Sequence, residues 1–322
     1  MPTPALASFN DTEQLSIALA HTDVRAMQLN EGAFGAHLSQ QQIDGWTLQF
    51  LEFVDGVSTC AGSAPADRAA FVVPLTVGDK CRLLGSPLEE TVIGIYAPGS
   101  EHADVSASGL SEVVLTPPAE LLEEALGRGE EFSLPAEGSL LRTIPGAELA
   151  ALRRMLSSAV AHGPQIVAHS AAARGLTSDL EVVLLSALSA ADETPAIGRL
   201  PRRAILRRVN ELLQDDEVEP IHASDLVRLT GVSYPTLRRV FLEWFGTTPI
   251  NYLQMKRLYL ARRRLQSGAH EKVSDVAMSC AFWELGRFAQ RYREVFGELP
   301  SETLKAATER ECPARRVGFF TR

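Results

Sequence analysis

The chain has 322 residues, 45% of them hydrophobic and 22% charged, with a net charge of -9 and a mean hydropathy of zero. That is a soluble composition with room for two domains. No stretch approaches the ~20 apolar residues of a membrane span, and MPTPALASFNDTEQ lacks the charged start and apolar run of a signal peptide, so a cytoplasmic protein is expected. The acidic total argues at first against nucleic acid, but it divides unevenly. Residues 199–322 hold 22 Lys and Arg against 15 Asp and Glu, a net of +7, while residues 1–198 hold 9 against 25, a net of -16. An acidic body with a basic tail points to an anion-binding module joined to something else. Cys60, Cys81, Cys280 and Cys312 are scattered without CxxC spacing, which favours a reducing compartment over a disulfide framework.

From about Gln28 to Phe132, short apolar segments are cut by Gly, Pro and Asp: TLQFLEFV (47–54), AAFVVPLTV (69–77), TVIGIYAP (91–98) and SEVVLTPP (111–118). Such spacing predicts a β-sandwich or small barrel. The period then becomes helical. Leu149, Leu152, Leu156 and Val160 fall three and four apart in 146–162, and Leu180, Val183, Leu184 and Leu188 do so in 177–191. Asp192 to Pro201 reads as a linker, Arg202 to about Ala307 as successive helices, and ECPARRVGFFTR as a loose tail.

The basic half contains one pattern twice. Ser224-Asp225-Leu226-Val227 recurs as Ser274-Asp275-Val276-Ala277, fifty residues on. Leu237, Phe241, Phe245, Gly246 and Pro249 recur as Phe288, Tyr292, Phe296, Gly297 and Pro300, fifty-one residues on, so the second copy has the longer turn. In each copy the Ser-Asp pair opens a short helix, where the Ser hydroxyl can cap amides and the acid suits the dipole. A turn follows, Gly231-Val232-Ser233 or Cys280-Ala281-Phe282, and then an i, i+4, i+8 apolar row marks the face of a second helix. Two short helices about a tight turn make a helix-turn-helix, whose second helix can enter a DNA major groove. Between the copies, Pro249 to Ser267 reads as one helix of about 28 Å, carrying Lys256, Arg257, Arg262, Arg263 and Arg264. A spacer of that size suits successive major grooves ~34 Å apart, with part of its charge facing phosphate.

On these residues the chain resembles the AraC/XylS family of bacterial transcription regulators. The resemblance rests chiefly on KVSDVAMSCAFWELGRFAQRYREVFGELPSETLK (272–305) and is closest to the XylS branch at Phe282, Leu285-Gly286-Arg287-Phe288, Tyr292-Arg293 and Phe296 to Ser301. Ala281 departs from it, since the family usually has glycine before the turn phenylalanine. The resemblance implies an α+β chain. Residues 1–195 would form a cupin-like β-rich sensor domain with two dimerisation helices. Residues 196–322 would form an all-α DNA-binding domain, with helix-turn-helix motifs at about 222–246 and 272–297 and a linker helix between them. It further implies base reading from the first turns of each second helix. The first offers Ser233, Tyr234, Pro235, Thr236, Arg238 and Arg239, with Leu237 and Phe241 turned inward. The second offers Glu284, Leu285, Gly286, Arg287, Gln290 and Arg291. Arginine suits guanine O6 and N7, Gln290 adenine and Glu284 cytosine N4. The implied partners are double-stranded promoter DNA, RNA polymerase, a second copy of the chain and a small effector, by analogy an aromatic or other organic acid.

Nothing in the N-terminal half predicts catalysis. GxSxG, Walker and GxGxxG motifs are missing, and the seven histidines are spread singly, without the HxH or HxxxH spacing of a cupin metal site. No cofactor, metal or enzymatic activity is expected. Glu89-Glu90, Glu123-Glu124 and Glu130-Glu131 read as solvated charge, and Arg25, Arg68, Lys80 and Arg82 as sparse partners for an acidic effector. The expected function is an effector-responsive activator that reads tandem half-sites with two recognition helices per subunit. The alternative is a constitutive repressor whose N-terminal half only dimerises. A pocket of mixed polar and apolar lining favours the first, and a filled core the second.

Overall fold

The computed structural model describes residues 6–19, 24–129, 132, 134–135, 137–193, 205, 208–209, 220–268 and 272–311. Most of the linker expected at 192–201, and the tail beyond 311, lie outside these. The chain divides into two compact units. One comprises Met1–Ala26, Phe34–Arg203 and Leu242–Gly246, and the other Met27–Ala33, Ala204–Phe241 and Thr247–Arg322.

The first unit is β-rich. Its larger sheet has the order β1 (Ala7–Phe9), β3 (Gly35–Ile43), β4 (Trp46–Asp55), β11 (Ser111–Thr116), β6 (Ala70–Thr76), β9 (Val92–Tyr96), β12 (Ser139–Thr143), β13 (Asp192–Glu193). The smaller has the order β2 (Arg25–Gln28), β5 (Val57–Ser63), β10 (Glu101–Ala107), β7 (Arg82–Leu83), β8 (Ser86–Pro87). Four strands match the four apolar segments of the sequence: β4, β6, β9 and β11. Antiparallel pairing sets Val113 opposite Phe50 and Val73, and Leu115 opposite Leu48 and Phe71.

Because side chains alternate across a strand, these four strands serve two interiors at once. Leu48, Phe71, Val73, Ile93, Ile95, Val113 and Leu115 point to one face. There they join Leu149, Leu152, Leu156, Ala159, Leu180, Leu184 and Leu188 in a continuous apolar core. The latter come from α3 (Gly146–Val167) and α4 (Ser170–Ser189). The apolar stripes read from the sequence in 146–162 and 177–191 are thus buried in this core. The intervening residues Gln49, Leu51, Phe53, Ala70, Val72, Tyr96, Glu112 and Val114 line a cavity of about 70 Å³, which Cys60, Leu83, His102, Asp104 and Ser106 of the smaller sheet also line. That is several times the ~10–15 Å³ a single water needs. Two short helices, α1 (Thr12–Ala18) and α2 (Ala119–Gly127), complete the unit.

The basic half is helical: α5 (Ala223–Thr230), α6 (Tyr234–Phe245), α7 (Pro249–Gln266), α8 (Val273–Ser279), α9 (Leu285–Phe296) and α10 (Pro300–Glu311). Thr248 caps α7 by accepting from Asn251 N–H, with Pro249 where a missing amide costs least. At 1.5 Å per residue α7 runs about 27 Å.

Candidate nucleic-acid interface

Each copy of the repeat folds as two short helices about a turn. The residues opening the first helix differ from expectation. His222 and Lys272 occupy the N-cap positions, with Ser224 and Ser274 inside the first turn. The acid does the capping work in the first copy, where the Asp225 carboxylate accepts the His222 backbone N–H at 3.0 Å. The turn centres on a left-handed residue, Gly231 at φ +70° and Ala281 at φ +60°. These positions are fifty apart, so the extra residue of the second copy enters after the turn and before α9. Ala281 N–H donates to Met278 O at 3.0 Å and Phe282 N–H to Ala277 O at 2.9 Å. This pair of bonds closes a helix end in the way glycine usually allows.

The second helix of each copy buries one face. Leu237, Val240 and Phe241 are buried on α6, with Phe241 edge-on to Tyr252 of α7 at 5.4 Å. Phe288, Tyr292 and Val295 are buried on α9. Phe282 from the turn packs on Phe288 at 4.9 Å, and Tyr292 on Phe296 at 4.6 Å. The Tyr292 hydroxyl lies 2.9 Å from Thr303 Oγ1 of α10. An aromatic stack thus fixes the angle at which α9 presents its outer face.

The outer faces carry the sequence-expected residues. Ser233, Pro235, Arg238 and Arg239 are exposed along α6, and Tyr234 and Thr236 are half-buried, with Ser233 Oγ 3.1 Å from Thr236 Oγ1. On α9, Glu284, Leu285, Gly286, Arg287 and Gln290 are exposed. Arg287 meets Glu284 at 2.8 Å and Gln290 Nε2 donates to Glu294 Oε1 at 2.8 Å, and both pairs are open to exchange for a ligand. Arg291 differs: it is half-buried and its guanidinium donates to Gln254 Oε1 of α7, so it sits behind the presented face. Trp283, 74% exposed at the head of α9, is an outward residue that the repeat did not single out. The signal was the one-residue lengthening of the second turn.

The arginines of α7 are mostly structural. Arg257 lies over the Phe282 ring at 5.5 Å, and its burial holds its pKa below the ordinary value. Arg262 lies over Phe296 at 4.6 Å and 3.9 Å from Glu298. Arg264 donates to Ser279 O and Oγ at 3.1 and 2.8 Å. Three of the five basic residues of α7 thus brace the second helix-turn-helix, which leaves a smaller part of its charge to face phosphate. Arg263 remains exposed.

The cavity of the β-rich unit has its own electrostatics. Asp104 accepts from Leu84 N–H at 2.8 Å and from the Tyr96 hydroxyl at 2.9 Å, and lies 2.9 Å from His102 Nδ1. Glu112, 8% exposed, has an Oε2 with no hydrogen-bond partner among the described residues. Burial first, and the Asp104 charge second, push its carboxyl up to about 8. Cys60, cross-strand from Asp104, is pushed up to about 12 by burial, with Glu112 and Asp104 adding to it. His102 is thus a partnered interior histidine rather than a lone surface one. Arg25, Arg68, Lys80 and Arg82 do not line the cavity, and Arg68 pairs with its neighbour Asp67 at 2.7 Å. Among the described residues no group of His, Cys, Asp and Glu is arranged to hold a metal ion, and no helix is long and apolar enough to cross a membrane.

Residues 226–306 match a family model described as a helix-turn-helix domain. Over 100 residues the chain is 36% identical to XylDLEGF operon transcriptional activator 3 of Pseudomonas putida, covering 30% of each. Over 129 residues it is 34% identical to the probable thc operon regulatory protein of Rhodococcus erythropolis, covering 38% of this chain and 39% of that one. Among solved structures, a probable AraC family transcriptional regulator from Rhodopseudomonas palustris is 38% identical with a TM-score of 0.30, over 33% of this chain and 97% of that one. The chain thus spans under two fifths of the length of these two curated relatives. Residues 226–306 are a helix-turn-helix domain of the AraC/XylS type.

Proposed function

We propose that the chain is a sequence-specific DNA-binding transcription activator that reads tandem half-sites through α6 and α9. The observation carrying this reading is the repeat itself: two helix-turn-helix units, joined by α7, each presenting exposed arginine on the first turns of its second helix. Arg238, Arg239 and Arg287 suit guanine, Gln290 adenine and Glu284 cytosine, Thr236 and Tyr234 suit a base edge or phosphate, and Ser233 and Pro235 belong to the same first turn. Leu285 suits a thymine methyl and Gly286 permits close backbone approach. Arg291 contributes by orienting α9. The names of the curated relatives, transcriptional activators of an operon, support activation and hence an encounter with RNA polymerase.

In the same reading residues 1–195 sense a small molecule and support a homodimer, residues 196–322 bind DNA, and the protein works in the cytoplasm by binding rather than catalysis. The cavity's mixed lining favours a sensor over a constitutive repressor. Selection of a preferred sequence from random DNA, followed by titration of Arg238→Ala and Arg287→Ala, tests the reading. Each variant should lose ~1–3 kcal/mol of discrimination at one base position. Unchanged affinity and salt dependence in both would refute it.

A further inference from the structure

We propose that the cavity between the two sheets binds a small organic cation, a compact apolar amine whose protonated nitrogen sits against Glu112 and whose hydrocarbon lies on Leu51, Phe53, Val72 and Val114. This deepens the sensor reading and rests on it. Three observations point to a cation. First, Glu112 offers a buried carboxyl oxygen without a hydrogen-bond partner among the described residues, on the wall of a cavity with space for a ligand. Buried polar atoms in native proteins are nearly always satisfied, so an orphan of this kind marks a place where something binds. Second, the other carboxylate is already engaged by three protein groups. Asp104 receives the Leu84 amide and the Tyr96 hydroxyl and faces His102, which leaves Glu112 as the free acceptor.

Third, among the described residues no lysine or arginine lines the cavity, and its one histidine is engaged with Asp104. An organic acid would bring a third carboxyl into a space holding two, with no lysine or arginine on the lining to pair it. The charge of the cavity thus reverses the organic-acid effector suggested by resemblance. A protonated amine meets Glu112 as an ion pair with charge-assisted hydrogen bonds. The groups facing the pair are Asp104, His102, Cys60 and Tyr96, none of which brings a competing fixed positive charge.

The test uses the full chain and two isosteric series, isobutylamine, isobutanol and isobutyrate, and benzylamine, benzyl alcohol and benzoate, at pH 8, where the amines remain protonated. Thermal unfolding should shift upward with amine concentration and stay unmoved by the acids. In Glu112→Gln the amine affinity should fall at least ~10-fold while alcohol binding is unaffected. Acids that stabilise as well as amines, an amine shift that survives Glu112→Gln, or no shift with any of the six compounds would each overturn the proposal. Because binding is read on the protein alone, failure here leaves DNA recognition standing, and loss of DNA recognition leaves the amine shift in place.

Discussion

Gly231 and Ala281 hold the same left-handed backbone conformation, fifty residues apart, at the ends of α5 and α8. Only glycine adopts it without steric cost, so the two turns are built alike and strained unequally. Ala281→Gly should raise stability by about 1 kcal/mol, and Gly231→Ala should lower it by a similar amount. Urea unfolding of the full chain checks both. Neither should alter the sequence preference on DNA, because neither residue lies on the presented face of α6 or α9.

Glu112 makes stability depend on pH in a defined direction. Its carboxyl, at about 8 when folded and 4.5 as a reference, keeps a proton that the unfolded chain releases between these values. Stability therefore falls as pH rises through that window, and the loss is complete above about 8. Glu112→Gln removes the loss, so the variant should gain on the parent steadily from pH 5 to pH 8. The gain should reach a few kcal/mol. Melting temperatures of both proteins across that range check it. A constant difference between them would contradict the assignment.

The arginines of α7 should separate by function. Arg262→Ala removes a guanidinium packed on Phe296 and should cost about 1–2 kcal/mol of stability, with little change in the salt dependence of DNA binding. Arg263→Ala should leave stability within about 0.5 kcal/mol. The exposed Arg263 guanidinium is expected to meet a phosphate, so that variant should lower the slope of log affinity against log salt by about 1. Titrations at several salt concentrations, paired with unfolding curves, distinguish the two roles.

Trp283 should act at the surface alone. Its side chain is 74% exposed, so Trp283→Ala should change stability by no more than about 0.5 kcal/mol. Standing at the head of α9, it should contribute ~1 kcal/mol or more to DNA affinity through apolar contact with bases or sugar. Fluorescence quenching of this indole on adding DNA, compared with Trp283→Phe, reads that contact directly.

The sequence displayed what repeats and what alternates. β4, β6, β9 and β11 were legible because alternate residues on each are large and apolar, and the double helix-turn-helix because its pattern occurs twice. β5 and β10 were not legible: STCAGS and EHADVSA turn Cys60, His102, Asp104 and Ser106 toward the cavity, so no apolar alternation marks them. Glu112 was one acid among many until the fold set it beside Asp104. The bracing role of the α7 arginines was hidden for the opposite reason. A charge is visible in a sequence, whereas the aromatic ring beneath it becomes visible only once α8 and α9 have packed.

The alternation along β11 also makes the large sheet a partition one residue thick. Val114 touches the cavity while Val113 and Leu115, its immediate neighbours, are fully buried in the core that α3 and α4 share. Close-packed interiors transmit displacement instead of absorbing it. An occupant that presses on Val114 and Val72 therefore leans, through a single peptide bond on each strand, on the core that also holds Leu152 and Leu184. The wall that holds a guest is the same wall on which the two long helices rest.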